Sequence, residues 1–208
     1  MDLQFYGGNC VALTYKGTRV VIDDNLAELG GKSILKADDL ALFSTQGDRS
    51  KVDAKLVVEN PGEYEMGDVS VHGVAAQAHV DEKGSKNATM FKITAGDLNV
   101  LFVGSIDSDV SESQLEAIGK VDVLFVPVGG HGLTLDPLGA LKVIKEVEPK
   151  MVIPTHYDDK ALKFPMPQTE LDIAIKELSM EVSQKAPKLK LKSSDLSDTL
   201  QLVVLEKS

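Results

Sequence analysis

The residue best placed for chemistry in this sequence is His156, which lies at the end of the apolar stretch Met151–Tyr157 (M-V-I-P-T-H-Y). The composition of the stretch predicts a buried β-strand, and sheet architectures commonly place ligands and catalytic groups where strands end. An imidazole in that position could bind a metal ion or accept a proton. A structural histidine held by hydrogen bonds is the alternative, and the spacing alone leaves both interpretations open.

The chain has three other histidines. His79 follows the apolar stretch Val74–Ala78 and precedes a polar loop, so it is a second candidate for chemistry. His131 lies between glycines, where it either reaches into a cleft or faces water. His72 alternates within a predicted strand, and we interpret it as a surface or core residue.

A glycine-rich loop, Gly129–Gly132, follows the apolar strand Val121–Val128. Backbone N–H groups in such a loop, just before a helix, can bind an anion. This makes Gly129, Gly130 and His131 candidate substrate-binding residues. The spacing matches neither a Rossmann loop nor a P-loop, so it indicates no particular ligand.

Covalent catalysis finds little support in the sequence. No serine or cysteine lies in a nucleophile-elbow pattern, and Cys10 has no positively charged neighbour that would activate its thiol.

Asp23, Asp24 and Asn25 follow the predicted strand Arg19–Ile22. Acidic residues at a strand end can orient a ligand, although we interpret these three as a turn.

Composition excludes several classes of function. The 208 residues include 32 acidic and 22 basic side chains, and the net charge of −10 repels nucleic acid and anionic membranes. The single cysteine permits neither an intramolecular disulfide nor a cysteine-based zinc site. The N-terminus lacks a signal-peptide pattern, and no apolar run approaches the roughly 20 residues that span a bilayer. We therefore expect a cytoplasmic protein that binds neither nucleic acid nor membrane.

The segment Lys185–Lys192 (K-A-P-K-L-K-L-K) is the only locally basic tract. Its lysines alternate with Leu189 and Leu191, which is the period of a strand with one solvated face. We interpret the segment as a lysine-protected edge strand rather than as a nucleic-acid site.

The first half of the chain predicts short strands joined by turns. One of these is a hairpin in which Lys16–Gly17–Thr18 joins Val11–Tyr15 to Arg19–Asp23. The second half alternates helices with strands. Ser111 and Gln114 form a capping-box pattern that predicts a helix over Glu112–Ile118.

Two further helices are predicted from caps and spacing. Asp136 and Pro137 are a good N-cap and first-turn pair for a helix with an apolar stripe from Ala140 to Val147. A third helix, around Leu171–Leu178, repeats that spacing.

Strands followed by alternating helices and strands predict an α/β fold. No repeat or linker interrupts the pattern, so we expect one domain over residues 1–208.

Five tracts together resemble the metallo-β-lactamase superfamily, most closely its small zinc-dependent hydrolases related to ascorbate-6-phosphate lactonase. They are F-Y-G-G-N-C at Phe5–Cys10, V-I-D at Val21–Asp23, P-G-E-Y-E at Pro61–Glu65, V-D-V-L-F-V-P-V-G-G at Val121–Gly130 and E-P-K-M-V-I-P-T-H-Y at Glu148–Tyr157. The last two are the most specific. The resemblance covers nearly the whole chain and implies a four-layer αββα sandwich.

Members of this superfamily typically hold one or two metal ions through H-x-H-x-D-H after a strand, then a His, an Asp and a final His. By this resemblance the final His matches His156 and the middle His matches His79. The H-x-H-x-D-H segment falls on Ser44–Arg49 (S-T-Q-G-D-R), which retains only Asp48.

The other expected ligands are replaced. The bridging Asp falls at Ser105, although Asp107 lies two residues on, and the first-loop His corresponds to Gly8. The resemblance therefore leaves three metal ligands: Asp48, His79 and His156. Family geometry divides them between two metal positions, whereas catalytic zinc usually has three protein ligands around one ion. We expect no firmly bound cofactor.

We favour a hydrolase-like protein with a degenerate metal site, in which Arg49 and Asp48 form a polar network in place of the metal. The cleft would then bind a small acidic or neutral metabolite, or serve an assembly role. Related small members often assemble, so a homo-oligomer is compatible with the resemblance.

The alternative is an active hydrolase of an ester, lactone or phosphoester. One zinc or manganese ion, held by Asp48, His79 and His156, would lower the pKa of a bound water. Asp48 and His156 would then be the catalytic residues, and the loop Gly129–His131 would contact the substrate. Metal-free hydrolysis with His156 as general base has no oriented nucleophile to support it.

Overall fold

The computed structural model describes residues 1–208 and contains fourteen strands and three α-helices. The strands are β1 (Asp2–Gly7), β2 (Cys10–Tyr15), β3 (Thr18–Ile22), β4 (Leu40–Leu42), β5 (Leu56–Val58), β6 (Gly62–Met66), β7 (Val69–Ala76), β8 (Ala88–Ala95), β9 (Leu98–Phe102), β10 (Val123–Pro127), β11 (Met151–Thr155), β12 (Val182–Ala186), β13 (Leu189–Lys190) and β14 (Gln201–Leu205). The helices are α1 (Glu112–Ile118), α2 (Pro137–Val147) and α3 (Leu171–Leu178).

The strands form two sheets. One has six strands in the order β13-β1-β2-β3-β4-β5, and the other has eight in the order β12-β14-β11-β10-β9-β8-β7-β6. Strands β3, β4 and β5 run parallel to one another, as do β9, β10, β11, β14 and β12. The predicted α/β fold is confirmed, and so is the sandwich of two sheets.

Alternation along the strands separates the layers of the core. In β10, Val123 and Phe125 face the other sheet, while Leu124 and Val126 face the helices. Between the sheets, the rings of Phe102 and Phe125 stack with centroids 4.5 Å apart. All three helices contribute buried residues to the core on the outer face of the eight-stranded sheet.

The outer face of the six-stranded sheet is covered differently. Cys10, Ala12 and Val21 pack against Leu26 and Leu162, which belong to irregular segments. The segment 24–39 contains turns but no helix, since Gly30 and Gly31 interrupt it and glycine is a poor helix former. The fourth layer of the sandwich is therefore a coil layer.

The predicted local elements are mostly confirmed. Helix α1 has its capping box at Ser111 and Gln114, and the Asp136 side chain caps α2 by accepting a hydrogen bond from Gly139 N–H at 2.7 Å. The hairpin turn is two residues long, with φ values of 45° at Lys16 and 88° at Gly17, so Thr18 already belongs to β3.

The Lys-rich segment is not one strand, so that prediction was wrong. Lys185 lies at the end of β12 in one sheet, whereas Leu189 and Lys190 form β13 in the other. Pro187 separates the two strands, because it has no backbone N–H for a ladder. The alternation itself holds, with buried leucines and exposed lysines, and both strands are sheet edges.

No helix of the structure is long and apolar enough to cross a lipid bilayer.

The Asp136 cap gives a test of how α2 is positioned. We expect Asp136→Ala to lower the free energy of unfolding by about 1 kcal/mol, because the N–H of Gly139 loses its acceptor. Urea denaturation would measure the change. Asp136→Ser should retain most of the stability, since serine is also a good N-cap. Equal losses in both variants would contradict this role.

Candidate functional site

The carboxyl ends of β3, β9, β10 and β11 meet around a small cavity between the sheets. Its lining comes from both sheets and from the β1–β2 turn, and consists of Asn9, Ile22, Asp23, Phe102, Gly104, Phe125 and Thr155. We call it the strand-end cavity. Its volume is about 10 Å³, room for at most one water molecule. Side chains therefore fill the centre of the site.

Asp23 and Ser44 form the buried core of this site. The carboxylate of Asp23 accepts hydrogen bonds from the Ser44 N–H and the Ser44 hydroxyl, both at 2.6 Å. Asp23 is only 4% exposed. Burial raises the pKa of Asp23, while the hydrogen bonds from Ser44 and the positive charge of Arg49 act in the opposite direction. Both carboxylate oxygens are therefore already engaged.

Gly104 allows Ser44 to come this close. A Cβ atom at Gly104 would lie 2.3 Å from Ser44 Oγ and 3.5 Å from Asp23 Oδ2. The backbone φ of 63° also favours glycine at this position. The end of β9 in one sheet is thus pressed against the end of β4 in the other.

A second hydrogen-bonded chain joins the sheets beside the first. Thr155 Oγ1 donates to Asn9 Oδ1 at 2.9 Å, and Asn9 Nδ2 donates to Ser105 Oγ at 3.3 Å. The backbone carbonyl of Ser105 in turn accepts from the N–H of His79 at 2.9 Å. Ser105, which the resemblance aligns with a bridging Asp, therefore bonds to protein groups.

His156 is held in one orientation by its surroundings. Its N–H donates to Gly8 O at 2.7 Å, and its φ is 51°, in the left-handed region. Nδ1 lies 3.0 Å from Gln168 Oε1. The Gln168 Nε2 group donates to the carbonyls of Met166 and Pro167 at 2.9 and 3.0 Å. This fixes the amide so that its oxygen faces the imidazole.

It follows that His156 Nδ1 carries the hydrogen and Nε2 carries a lone pair. Burial lowers the pKa of His156, against the opposing effect of the Gln168 hydrogen bond, so the ring is neutral at pH 7. Nε2 has no hydrogen-bond partner in the protein. His156 therefore offers one free acceptor nitrogen, which can accept a proton or a ligand hydrogen bond.

The predicted substrate-binding loop serves largely to support His156. A Cβ at Gly129 would lie 2.0 Å from His156 O and 2.2 Å from Gln168 Oε1, so no larger residue fits. The Gly130 N–H donates to Leu135 O at 3.0 Å and is not free for an anion. His131 is exposed, with a φ of 53°.

His79 follows β7 and is half-buried. Its Nδ1 atom is buried and has no hydrogen-bond partner. Through Ser105 it lies next to the Asn9 hydrogen-bond chain. A buried nitrogen without a partner is unusual, since most such atoms are hydrogen-bonded.

Asp48 is placed away from both histidines. It is exposed and accepts a hydrogen bond from Ser50 N–H at 2.9 Å. Hydrogen bonding from Ser50 lowers the pKa of Asp48, so it stays ionised at neutral pH. Asp48 lines a different cleft, to which neither His79 nor His156 contributes.

The predicted ion pair between Arg49 and Asp48 is wrong. Arg49 Nε pairs with Glu59 at 3.3 Å, and the guanidinium lies 3.8 Å from the centroid of the Phe43 ring. It also donates to Thr45 O at 2.8 Å and to Asn25 Oδ1 at 3.3 Å. Arg49 points towards these groups because stacking and three acceptors favour that side, while Asp48 is held by its own turn.

The donors do not converge on a metal position. No group of three or more His, Cys, Asp or Glu side chains is arranged to hold a metal ion. The candidate ligands Asp48, His79 and His156 are not assembled into one site. Both carboxylate oxygens of Asp23 accept hydrogen bonds from Ser44. The residues as placed do not fit a superfamily metal centre, which needs at least three ligands around an ion.

Sequence reasoning missed several of these residues. Asp23 was interpreted as part of a turn, and Ser44 only as a replaced ligand. Asn9 lies in the tract Phe5–Cys10 that contributes to the resemblance, but nothing in the sequence indicates a role for its side chain, and Gln168 lies in no motif. The only available signal for Gln168 is its place after Pro165 and Pro167, which fix the chain before α3.

Comparison with known proteins places this geometry in context. The sequence-family model described as Beta-lactamase superfamily domain matches residues 2–156 of this chain. A UPF0173 metal-dependent hydrolase of Carboxydothermus hydrogenoformans is 35% identical over 72 residues, which cover 35% of this chain and 31% of that protein. One from Anaeromyxobacter sp. is 33% identical over 105 residues, covering 46% and 38%. The chain thus spans about a third of the length of these relatives.

Solved structures extend the likeness to the whole chain. A candidate Zn-dependent hydrolase of the metallo-beta-lactamase superfamily from Thermotoga maritima has a TM-score of 0.77 and 26% identity, covering 99% of this chain and 98% of its own. A metallo hydrolase from Ignicoccus hospitalis has a TM-score of 0.62 at 14% identity, covering 99% and 94%. The second likeness shows the fold alone.

The hydrogen bond from His156 to Gln168 gives a spectroscopic prediction. At neutral pH the ¹⁵N chemical shifts of His156 should show the tautomer protonated at Nδ1. Gln168→Leu removes the acceptor, and we expect a mixture that includes the Nε2-protonated form. Gln168→Glu keeps an acceptor oxygen and should keep the Nδ1 form. An Nε2-protonated ring in the wild-type protein would contradict the assignment.

The raised pKa of Asp23 gives a pH prediction. Between the ordinary Asp pKa and the raised one, the unfolded chain has lost a proton that the native state keeps, so stability falls as pH rises. Relative to Asp23→Asn, the free energy of unfolding of the wild-type protein should fall by about 1.4 kcal/mol per pH unit as the pH rises above about 4. The decline should level off once the pH exceeds the raised pKa of Asp23. Urea denaturation across this range would measure it.

Ser44→Ala supplies the control for this pH dependence. It removes the hydroxyl that favours the ionised carboxylate, so the decline should extend to higher pH. A pH-independent difference between wild-type protein and Asp23→Asn would show that burial does not raise this pKa.

Proposed function

The chain belongs to the beta-lactamase superfamily, and from this premise we propose that it is a metallo-β-lactamase-fold protein with a degenerate metal site. In this proposal it binds a small metabolite near His156 without hydrolysing it. The observation that carries the proposal is the pair formed by Asp23 and Ser44. Ser44 donates a hydrogen bond of 2.6 Å to each oxygen of the buried Asp23 carboxylate, so this carboxylate at the strand ends is not free to bind an ion.

The energetics of the strand ends support a metal-free state. An ion entering the strand-end cavity would have to displace hydrogen bonds that are already formed, in a space of about 10 Å³. Breaking a buried hydrogen bond leaves a donor or acceptor unsatisfied, at a cost of about 1–3 kcal/mol each. Only a convergent ligand set would offset this cost, and no such set is assembled.

His156 supports the binding part of the proposal. Its neutral ring has a free Nε2 lone pair and is locked by Gln168, so it can accept a hydrogen bond from a hydroxyl or amide of a ligand. The ring also lies against Phe164, with centroids 5.0 Å apart, which gives the position an apolar side. A fixed acceptor beside an apolar wall is typical of small-molecule sites.

The alternative is an active metal-dependent hydrolase. The buried Nδ1 atom of His79, which has no partner, and the free Nε2 atom of His156 favour it. Two relatives are also named metal-dependent hydrolases. A single zinc or manganese ion would supply a bound water with a lowered pKa. Asp48 would have to leave its present turn to join the two histidines.

Metal analysis distinguishes the two functions. We expect protein dialysed without chelator to contain zinc, manganese and iron well below one ion per chain. The thermal unfolding temperature should not change when zinc or manganese is added, because the native state has no site for either ion. A metal bound at about 100 times its Kd would instead raise the free energy of unfolding by roughly 2.7 kcal/mol, which such a measurement would detect.

The matched variants are His156→Ala and His131→Ala. Under the degenerate-site proposal neither changes metal content, since neither histidine holds an ion. One equivalent of metal that is lost in His156→Ala but retained in His131→Ala would overturn the proposal in favour of the hydrolase.

A further inference from the structure

The strand-end site has a free acceptor nitrogen but no room for a ligand. The strand-end cavity, at about 10 Å³, holds at most one water molecule. The two largest clefts of the molecule do not include His156, and His156 itself is only partly exposed. A metabolite can therefore be enclosed beside its Nε2 atom only after a covering segment moves.

The covering segment is the loop 158–169, which connects β11 to α3. Its ends lie together, since the Asp158 N–H donates to Thr169 O at 2.9 Å. A surface loop closed at its neck in this way is an Ω-loop, a type of loop that is often functional. Phe164 of this loop lies against the imidazole of His156, with ring centroids 5.0 Å apart. The loop therefore forms a wall over the candidate site.

The base of the loop is firmly held. Thr169 donates two hydrogen bonds to Gly129 O, from its N–H at 2.9 Å and from its hydroxyl at 3.0 Å. Gln168 is only 6% exposed, and its Oε1 lies 3.0 Å from Nδ1 of His156. These bonds keep the base and the imidazole in place whatever the rest of the loop does.

The tip of the loop, residues 159–164, is a separate turn. The N–H of Leu162 donates to Asp159 O, and the N–H of Ala161 donates to Asp159 Oδ1, both at 2.9 Å. Pro165 marks the boundary with the base, because it has no N–H with which to extend the turn. The tip can therefore move as one unit relative to the base.

Few contacts attach the tip to the rest of the protein. The N–H of Lys163 donates to Leu29 O at 2.8 Å, and the Asp159 carboxylate pairs with Lys207 Nζ at 2.6 Å. Leu162, which is 8% exposed, packs in the small apolar cluster on the outer face of the six-stranded sheet. A single hydrogen bond and a partly exposed ion pair add little net stability, so the leucine is the main anchor.

The surface beneath the tip is smooth. A Cβ atom at Gly7, the last residue of β1, would lie 2.8 Å from Leu162 Cδ1 and 3.2 Å from Asp159 Oδ2. The tip thus rests on glycine and can lift away here without displacing a side chain.

We propose that the tip is a lid, which opens to admit a ligand to His156 and then closes with Phe164 against that ligand. Opening breaks the hydrogen bond of Lys163 and the ion pair of Lys207, and it moves Phe164 away from the imidazole. The base stays closed, so the orientation of His156 is kept. This inference rests on the proposed function, because it describes how a metabolite reaches Nε2.

Amide hydrogen exchange of the full chain, followed by NMR, tests whether the tip opens alone. After correction for intrinsic rates, the amides of Leu162 and Lys163 should exchange at least about tenfold faster than those of Asp158, Thr169 and β10, because local opening costs less than global unfolding.

Two variants weaken the anchors of the tip. Lys207→Ala should speed exchange of the tip amides about twofold to fivefold, and Leu162→Ala should speed it about tenfold or more. The matched control is Lys188→Ala, because Lys188 pairs with Asp2 at the same distance of 2.6 Å but at the opposite end of β1. This control should leave exchange of the tip unchanged.

Acylation by diethyl pyrocarbonate tests whether the tip controls access to His156. The reagent attacks unprotonated imidazole nitrogens, and peptide mass spectrometry locates the product. The exposed His131 should be modified well before His156 in the wild-type protein. In Lys207→Ala, the rate at His156 should rise by the same factor as exchange of the tip, while the rate at His131 stays constant.

Three results would overturn the inference. They are tip amides that exchange only in step with β10, tip exchange that neither anchor variant accelerates, and an acylation rate at His156 that stays constant when tip exchange increases. Metal analysis of the same samples separates the two proposals. One zinc ion per chain would remove the proposed function, whereas a tip that fails to open in metal-free protein would remove the lid alone.

Discussion

The hydrogen bonds between Asp23 and Ser44 fix the geometry of the region where the two sheets end. They join the carboxyl ends of the neighbouring strands β3 and β4, and they form because Gly104 leaves room for Ser44 against β9. Three strands from two sheets are thereby held at one point. The loop that follows β4 begins from this fixed position. Within it, the guanidinium of Arg49 stacks on the ring of Phe43 and does not pair with Asp48.

The same region of the fold can satisfy its polar groups in two ways. In superfamily metal centres, strand-end donors converge on an ion, whereas here Asp23, Ser44, Asn9, Ser105 and Thr155 bond to one another. Internal bonding of this kind gives these buried polar groups hydrogen-bond partners within the protein. Beside these bonds, Arg49 joins the segments after β3, β4 and β5.

Local features of the fold could be predicted from the sequence because they depend on neighbouring residues. The capping box of α1, the Asp136 cap of α2 and the hairpin turn at Gly17 all follow from side chains a few positions apart. The site could be predicted only in part, since Gln168 reaches His156 across 12 residues and Asn9 reaches Thr155 across 146. Spacing cannot reveal such contacts. The partner of Arg49 was missed for the same reason.

The order of strands in the eight-stranded sheet also constrains how the molecule can be made. Strand β14, residues 201–205, lies between β11 and β12, and β13, residues 189–190, completes the sheet built mainly from residues 2–58. A nascent chain must therefore leave the ribosome through residue 190 before the six-stranded sheet is complete, and through residue 205 before the eight-stranded sheet is complete. Many of the pairings that close the sandwich are far apart in sequence, which slows folding. Until then, the unpaired edges of the unfinished sheets are prone to aggregate.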